Sequence, residues 1–212
     1  MSLAKKFILF VLVAGLAGAL SARADELFDN LGNAGTSADP TGDVWGPLAD
    51  SFSTGSTAFD FTSLTVILSG TASTGSTTAY LLSDSSDSPG AIVEEIGAIS
   101  ETGLSAAPNL FMLSTSIVLA PDTTYWIELT SADNNTDWQW TLDSSGVGTA
   151  GQSFANFQGS GAWVVFPEDN GPYQMAVSGT VIPEPSSLSM LLAGLLVLGC
   201  AGFRRRVFSR FN

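Results

Sequence analysis

The side chains of this sequence that could do chemistry are mainly carboxylates, hydroxyls and amides. There is no histidine among the 212 residues, and the single cysteine, Cys200, lies in an apolar stretch near the C-terminus. Hydrolysis by a Ser-His-Asp or Cys-His arrangement needs an imidazole base, and many zinc sites need histidine ligands. These chemistries are excluded, and the sequence predicts no catalytic residue and no obligatory cofactor.

Pairs of acids leave one enzymatic alternative, because glycosidases work with two carboxyl groups. The candidates for such a pair are Glu94, Glu95, Glu101, Glu128, Glu168 and Asp169. Each is expected to be a solvated carboxylate on a strand edge or loop, since acidic side chains are rarely buried without a partner. A carboxylate-based glycoside hydrolase is therefore the least favoured alternative.

Two oxygen-rich segments could bind a hard cation. One reads Asp-Ser-Ser-Asp-Ser over residues 84–88, and the other reads Asp-Asn-Asn-Thr-Asp over residues 133–137. Their oxygens suit Ca²⁺, although neither segment has the spacing of an EF-hand loop. The same residue types are common turn formers. The weak calcium candidates are Asp84, Asp87, Asp133 and Asp137.

Trp126 is a candidate for sugar binding. It falls on the strand face opposite to Tyr125 and Ile127, together with Glu128. An indole ring beside a carboxylate could stack on a sugar and accept hydrogen bonds from its hydroxyl groups. The alternative is that a loop or a neighbouring strand covers Trp126.

The charges of the chain are strongly segregated. The seven basic residues all lie near the ends, as Lys5, Lys6, Arg23, Arg204, Arg205, Arg206 and Arg210. Of the 20 acidic residues, all but Glu184 lie between Asp25 and Asp169, so the middle of the chain has no cation and a formal charge near −19. Nucleic acid is excluded as a partner, because its phosphates need cationic side chains. Anionic polymers would be repelled unless a metal cation bridges them, so a polysaccharide partner is expected to be neutral.

Alternating apolar and polar residues predict strands throughout residues 25–180. Leu64, Val66 and Leu68 show this period, as do Tyr80 and Leu82. Turn sequences rich in glycine, proline and asparagine separate about nine or ten such runs, near residues 26–30, 45–53, 63–69, 77–83, 92–99, 110–119, 123–130, 136–143, 162–166 and 173–181. The expected fold class is all-β, a single antiparallel β-sandwich of jelly-roll type.

The N-terminus has the pattern of a secretory signal peptide. Lys5 and Lys6 precede an apolar run over residues 7–20, and Ala22 and Ala24 then occupy the two positions that signal peptidase recognises. We expect a signal helix in residues 1–24 that is removed before Asp25, which leaves residues 25–180 as the extracellular domain.

Residues 181–212 carry a second targeting pattern. Pro183, Glu184 and Pro185 precede an apolar run over residues 188–203, which is expected to be a transmembrane helix. Arg204, Arg205 and Arg206 follow it and would stop transfer on the cytoplasmic side. This set resembles the PEP-CTERM sorting signal, which implies processing by exosortase, a membrane-embedded protease of Gram-negative bacteria that make exopolysaccharide. An ordinary tail anchor is the alternative.

A looser resemblance covers most of the middle region. The middle region resembles choice-of-anchor secreted domains in four places, namely Trp45, the sequence Asp-Ser-Phe at residues 50–52, the segment 80–90 and the segment 119–126. This resemblance implies a β-rich surface module and supplies no catalytic residues.

The predicted protein is therefore exported, membrane-anchored before processing and located afterwards at the cell surface or in the extracellular matrix. Its expected role is structural or adhesive and not enzymatic, in association with exopolysaccharide. Its expected partners are signal peptidase, exosortase, transiently the inner membrane, and extracellular polysaccharide. A carbohydrate- or calcium-binding module is the alternative.

Overall fold

The structure is a computed structural model that describes residues 24–42, 46–70, 74–132, 135–149, 153–158, 161–167 and 171–182. The described residues form twelve strands. These are β1 (Ala24–Asp29), β2 (Ser37–Pro40), β3 (Leu48–Ser53), β4 (Phe59–Gly70), β5 (Ser76–Asp84), β6 (Pro89–Ser100), β7 (Ala107–Leu119), β8 (Thr124–Ser131), β9 (Thr136–Trp140), β10 (Ser153–Gln158), β11 (Ala162–Pro167) and β12 (Met175–Val181).

The strands form two antiparallel sheets of six strands each. In sheet A the order is β1-β12-β4-β9-β2, where β9 pairs only with the last residues of β4, 68–70. Strand β7 pairs with the edge of β4 opposite to β12. In sheet B the order is β11-β10-β3-β8-β5-β6. Strands β2 to β9 are divided between the sheets in the spatial orders 2-9-4-7 and 3-8-5-6, which is the connectivity of a jelly roll. Sheet A gains β1 and β12, and sheet B gains the β10–β11 hairpin.

The core lies between the sheets and is built by the alternation that the sequence shows. Leu64, Val66 and Leu68 of β4 are fully buried, and Ile127 and Leu129 of β8 face them from sheet B. Burying an aliphatic side chain of this size contributes about 1.5–3 kcal/mol, so the paired faces of the two sheets are the main source of stability.

Aromatic rings fill the part of the core near β9 and β12. Trp138 stacks on Tyr173 with ring centroids 4.6 Å apart, and Phe154 contacts the same tyrosine edge-on at 5.6 Å. Phe154 also stacks on Phe166 of the neighbouring strand at 5.0 Å. These rings tie the β10–β11 hairpin of sheet B to the segment before β12 in sheet A.

Buried polar groups hold the segment before β12, where no ion pair could form. The Asn30 amide donates to the carbonyl of Tyr173 at 2.9 Å, and its oxygen accepts from the backbone N–H of Met175 at 2.8 Å. The carboxylate of Asp50 accepts from the backbone N–H of Tyr173 at 2.7 Å. Hydrogen bonds made in a water-excluded site replace the salt bridges that the composition forbids.

The predicted all-β sandwich is confirmed, and each of the ten predicted strand regions overlaps an observed strand. Two strands were not predicted, β2 and β10. Strand β2 has only four residues and ends in proline, so it is too short to show a period of two.

The predicted signal helix and transmembrane helix lie outside the described residues. Among residues that the structure does describe, no helix has the length and apolar character needed to cross a membrane. The chain divides into two compact units, Met1–Val181 and Ile182–Asn212, and the described strands all belong to the first.

Candidate functional site on the outer face of sheet B

Trp126 lies on the outer face of sheet B, as its position in β8 predicts, but it is not accessible there. The side chain is 1% exposed and packs with Ala49, Leu82 and Ala155 in a second, smaller apolar cluster, which we call the outer cluster. Its indole N–H donates to a carboxylate oxygen of Asp84 at 2.9 Å. A sugar ring can stack only on an open aromatic face, so burial corrects the prediction of Trp126 as a sugar platform.

Glu128 follows two residues later on the same face and is half-buried. The strand register places it opposite Ala49 of β3 on one side and Tyr80 of β5 on the other. Burial raises the pKa of the Glu128 carboxyl above its ordinary value. The Glu128 carboxyl can therefore both accept hydrogen bonds and, more readily than a solvated acid, carry a proton.

Half-buried aromatic side chains lie on both sides of the small residues of this face. Tyr80 packs on the cluster from β5, and Trp163 and Val165 pack on it from β11. Phe157 meets Trp163 edge-on at 5.4 Å. We call Tyr80, Glu128, Phe157 and Trp163 the aromatic–carboxylate face.

The width of this face follows from the register. One row of residues crosses five neighbouring strands of sheet B, in the order Val165, Ala155, Ala49, Glu128 and Tyr80. Four strand spacings of about 4.8 Å span about 19 Å. A strip of this width, with aromatic rings at its two sides and a carboxylate between them, suits an extended polar ligand more than a compact one.

Sequence reasoning missed Tyr80, Phe157 and Trp163. Tyr80 and Leu82 read as one apolar face of β5, yet the residues that face the core are Ala79 and Leu81. Both faces of β5 are apolar, so alternation could not say which one is outside. Trp163 lies in a hairpin whose first strand, β10, was not predicted, so no neighbour of Trp163 could be predicted either.

The acid candidates for a glycosidase pair lie in several different parts of the described structure. Tyr80 lies opposite both Glu128 and Glu95, so these two acids flank one tyrosine across about two strand spacings, about 10 Å. Glu101 is not the solvated loop carboxylate that we expected, because it is fully buried. Glu168 and Asp169 lie outside the described residues.

The first calcium candidate segment is a tight turn. Asp84 accepts the indole N–H of Trp126 through one oxygen and the backbone N–H of Asp87 through the other, the latter at 3.2 Å. Ser86 and Asp87 adopt positive φ angles of 57° and 59° in this turn. One oxygen of Asp84 therefore stabilises the turn, and the other binds the buried indole of Trp126.

The second calcium candidate segment is described only in part. Asp133 lies outside the described residues, whereas Asp137 lies on β9. Burial, together with the negative charge of Asp39, raises the pKa of Asp137. No group of three or more metal-ligating acidic side chains occurs among the described residues.

The processing residues predicted at the ends lie at or beyond the limits of the described chain. Three of these sites lie outside the described residues, namely Ala22, the proline–glutamate–proline sequence at 183–185 and the arginines at 204–206. Ala24 is the first residue of β1. Strand β12 ends at Val181, one residue before the second compact unit begins.

The fold and the sequence that follows it together define a class of protein, an all-β module with a C-terminal targeting segment. A family model, the PEP-CTERM protein-sorting motif, matches residues 181–206. The chain therefore carries a PEP-CTERM sorting motif and is an exported protein sorted by exosortase, with a membrane-anchored precursor. No curated protein matches the chain. The similarity to choice-of-anchor domains stays a prediction.

Proposed function

We propose that this exosortase-sorted protein is a non-enzymatic structural or adhesive module of the cell surface or extracellular matrix, associated with neutral exopolysaccharide. The observation that carries this proposal is the position of the sorting motif, which begins at residue 181 where the last strand of the sandwich ends. Signal peptidase would remove residues 1–24, and exosortase would act on the segment after β12. The β-sandwich would then be the working part of the mature protein.

The charge of the domain supports a neutral partner. Between Asp25 and Ile182 there are 19 acidic residues and no lysine, arginine or histidine. Such a surface repels acidic polysaccharides and the anionic lipid surface, and it opposes association of the domain with itself. Contact with a neutral polysaccharide would depend on aromatic packing and on hydrogen bonds to carboxylates, hydroxyls and amides.

The processing part of the proposal is tested by mass spectrometry of the protein from its native host, with and without exosortase. We expect the apolar segment 188–203 to be lost only when exosortase is present, and the product to appear at the cell surface or in the matrix. A protein that keeps this segment in both strains would contradict processing. A matched variant with Pro183→Ala and Pro185→Ala should accumulate in the membrane fraction.

Specific carbohydrate binding is the second candidate function, and the aromatic–carboxylate face favours it. Tyr80 and Trp163 offer partly exposed rings on two strands of sheet B that are four strand spacings apart, and Glu128 lies on a strand between them as a hydrogen-bond acceptor. Aromatic rings with a polar partner bind amphipathic ligands well, because the ring packs on the apolar face and the acceptor orients the hydroxyl groups.

A panel of neutral glycans tests this second function. Binding should be saturable and should weaken at least tenfold in Tyr80→Ala and in Trp163→Ala. Trp126→Phe is the matched control, since it changes a buried ring of the same face and should bind like the wild type. No binding across the panel would reject the second function, and release of reducing sugar by the wild-type protein would contradict the non-enzymatic role.

A further inference from the structure

One end of the sandwich holds a group of polar side chains that are completely buried. Thr41, Thr77, Glu101 and Thr136 are each 0% exposed. They lie where β2 ends, β5 begins, β6 ends and β9 begins, and we call this group the polar end cluster. Polar side chains that lose all contact with water need partners inside the protein.

Hydrogen bonds account for only part of the polar end cluster. Thr41 donates through its backbone N–H and its hydroxyl to the carbonyl of Thr136, at 2.8 and 3.0 Å. The Thr77 hydroxyl donates to Oε1 of Glu101 at 3.0 Å. The two halves meet at Ser131, which pairs with Thr77 in the sheet and donates its backbone N–H to the carbonyl of Thr41 at 3.3 Å.

Two oxygens of the cluster are left over. Oε2 of Glu101 and Oγ1 of Thr136 are buried and have no hydrogen-bond partner among the described residues. For Glu101 this is costly, because a buried carboxylate is stable only when its charge is compensated and its lone pairs are used. No lysine, arginine or histidine exists between Asp25 and Ile182, so no side chain of this domain can compensate the charge.

We propose that Glu101 is the charged ligand of a structural cation site at this end of the sandwich, and that the cation is of the Ca²⁺ class. Every side-chain atom of the polar end cluster that could bind a cation is an oxygen, from one carboxylate and three hydroxyl groups. Oxygen ligands suit Ca²⁺, whereas zinc and copper favour nitrogen and sulfur. Backbone carbonyls and water complete the coordination of many calcium sites, and here they would complete the shell that Glu101 and the threonine hydroxyls begin.

The hydrogen bond from Thr77 gives the carboxylate its orientation. Because the Thr77 hydroxyl donates to Oε1, the oxygen of Glu101 that is left to bind a cation is Oε2. Thr77 is in this sense a positioning residue.

The backbone of Glu101 is held as well. Its N–H donates to the carbonyl of Gly75 at 3.2 Å, and its carbonyl accepts from the N–H of Leu104 at 3.5 Å. A cation at Glu101 would fasten the β6–β7 connection to the start of β5.

This site differs from the calcium candidates that the sequence offers. Asp84 and Asp87 form a surface turn, and Asp137 lies on β9 beside Asp39. Glu101 was expected to be a solvated acid and lies in no Asx-rich segment. Only the three-dimensional arrangement, in which the ends of several strands converge, makes it a site.

The test is the effect of Ca²⁺ on the stability of the full-length chain, purified in detergent and freed of metal by a chelator. Saturating Ca²⁺ at 100 times its Kd should raise the ratio of folded to unfolded protein about 100-fold, which appears as a higher Tm. Glu101→Gln keeps the size of the side chain and removes its charge, and this variant should lose the shift. Glu95→Gln, which removes an exposed charge from β6, the strand that precedes Glu101, should keep it.

An equal Tm with Ca²⁺ and with chelator would overturn the proposal, as would a calcium shift that persists in Glu101→Gln. If Glu101→Gln fails to fold, Thr77→Val decides, because it removes only the hydroxyl group that orients the carboxylate. Calorimetric titration with Ca²⁺ should then show at least fivefold weaker binding than in the wild type. Unchanged binding in Thr77→Val would count against the site.

Discussion

The polar network around Asn30 should contribute far more to stability than its size suggests, and the change Asn30→Ala tests this. Asn30 is 1% exposed and satisfies two backbone groups that lie on either side of Gln174, the carbonyl of Tyr173 and the N–H of Met175. Alanine would leave both groups buried without a partner. Each such group costs about 1–3 kcal/mol, so for the two groups together we expect a loss of about 2–6 kcal/mol in the free energy of unfolding.

Asn33→Ala is the matched control for this prediction. The Asn33 amide also makes two hydrogen bonds to backbone carbonyls, those of Asp143 and Ser145, each at 2.7 Å, but at an exposed site. Water replaces exposed partners, so this change should cost less than about 1 kcal/mol.

Urea unfolding of the two variants and the wild type measures the difference. The midpoint should fall strongly for Asn30→Ala and little for Asn33→Ala, with unchanged slopes. A domain of this length loses about 2–4 °C in Tm for each kcal/mol, so thermal unfolding should separate the variants as well. Equal costs for the two changes would refute the idea that buried hydrogen bonds replace ion pairs in this domain.

Three further predictions concern single side chains. Trp126→Phe keeps an aromatic ring in the outer cluster but removes the hydrogen-bond donor to Asp84. The free energy of unfolding, measured with urea, should therefore fall by about 1–2 kcal/mol. No loss would mean that the hydrogen bond to Asp84 is dispensable. Because burial raises the pKa of Glu128 above 4.5, the folded state holds this proton to higher pH than the unfolded state, and stability from this group is lost as pH rises through the raised pKa. Glu128→Gln should therefore be more stable than the wild type near neutral pH. In a pH series of unfolding curves, this gain should shrink as pH falls through the raised pKa and vanish below the ordinary pKa of a glutamate; a gain that does not depend on pH would contradict this cause. Gly148 has a φ of +68° and a Cβ built there would lie 2.0 Å from the carbonyl oxygen of Leu27, whereas Gly55 has a φ of +60° and open space. Gly148→Ala should lower the Tm well beyond Gly55→Ala, and equal effects would show that the close approach to β1 is not maintained.

The sequence predicted the parts of the fold that depend on local pattern. The inward face of β8, with Tyr125, Ile127 and Leu129, follows from alternation alone, because sheet B buries one face of that strand in the main core. The burial of Trp126 on the other face depends on Leu82 and on the β10–β11 hairpin, which come from distant parts of the chain. Alternation gives the face of a residue but not what covers that face.

Glu101 shows the same limit for the proposed cation site. Its neighbours Gly75 and Thr77 precede it by more than 20 residues, and Thr136 follows it by more than 30. No spacing rule links residues that only the antiparallel register of two sheets brings to one end. The sorting motif is the opposite case, since its function is written in consecutive residues, and it was predicted correctly.

The position of β12 has a mechanical consequence. Strand β12 is bonded along one edge to β1 and along the other to β4, and the sorting motif begins at its last residue. Tension between this end and a ligand held on sheet B would load both ladders of β12 in shear, so that many hydrogen bonds resist at once. Tension between the two ends of the domain would instead unzip β1, because Ala24 lies opposite Thr180 and the bonds would then break one after another. A module tethered at its C-terminus and loaded through its face would thus resist far larger forces than the same module pulled by its termini, and force spectroscopy in the two geometries would measure the ratio.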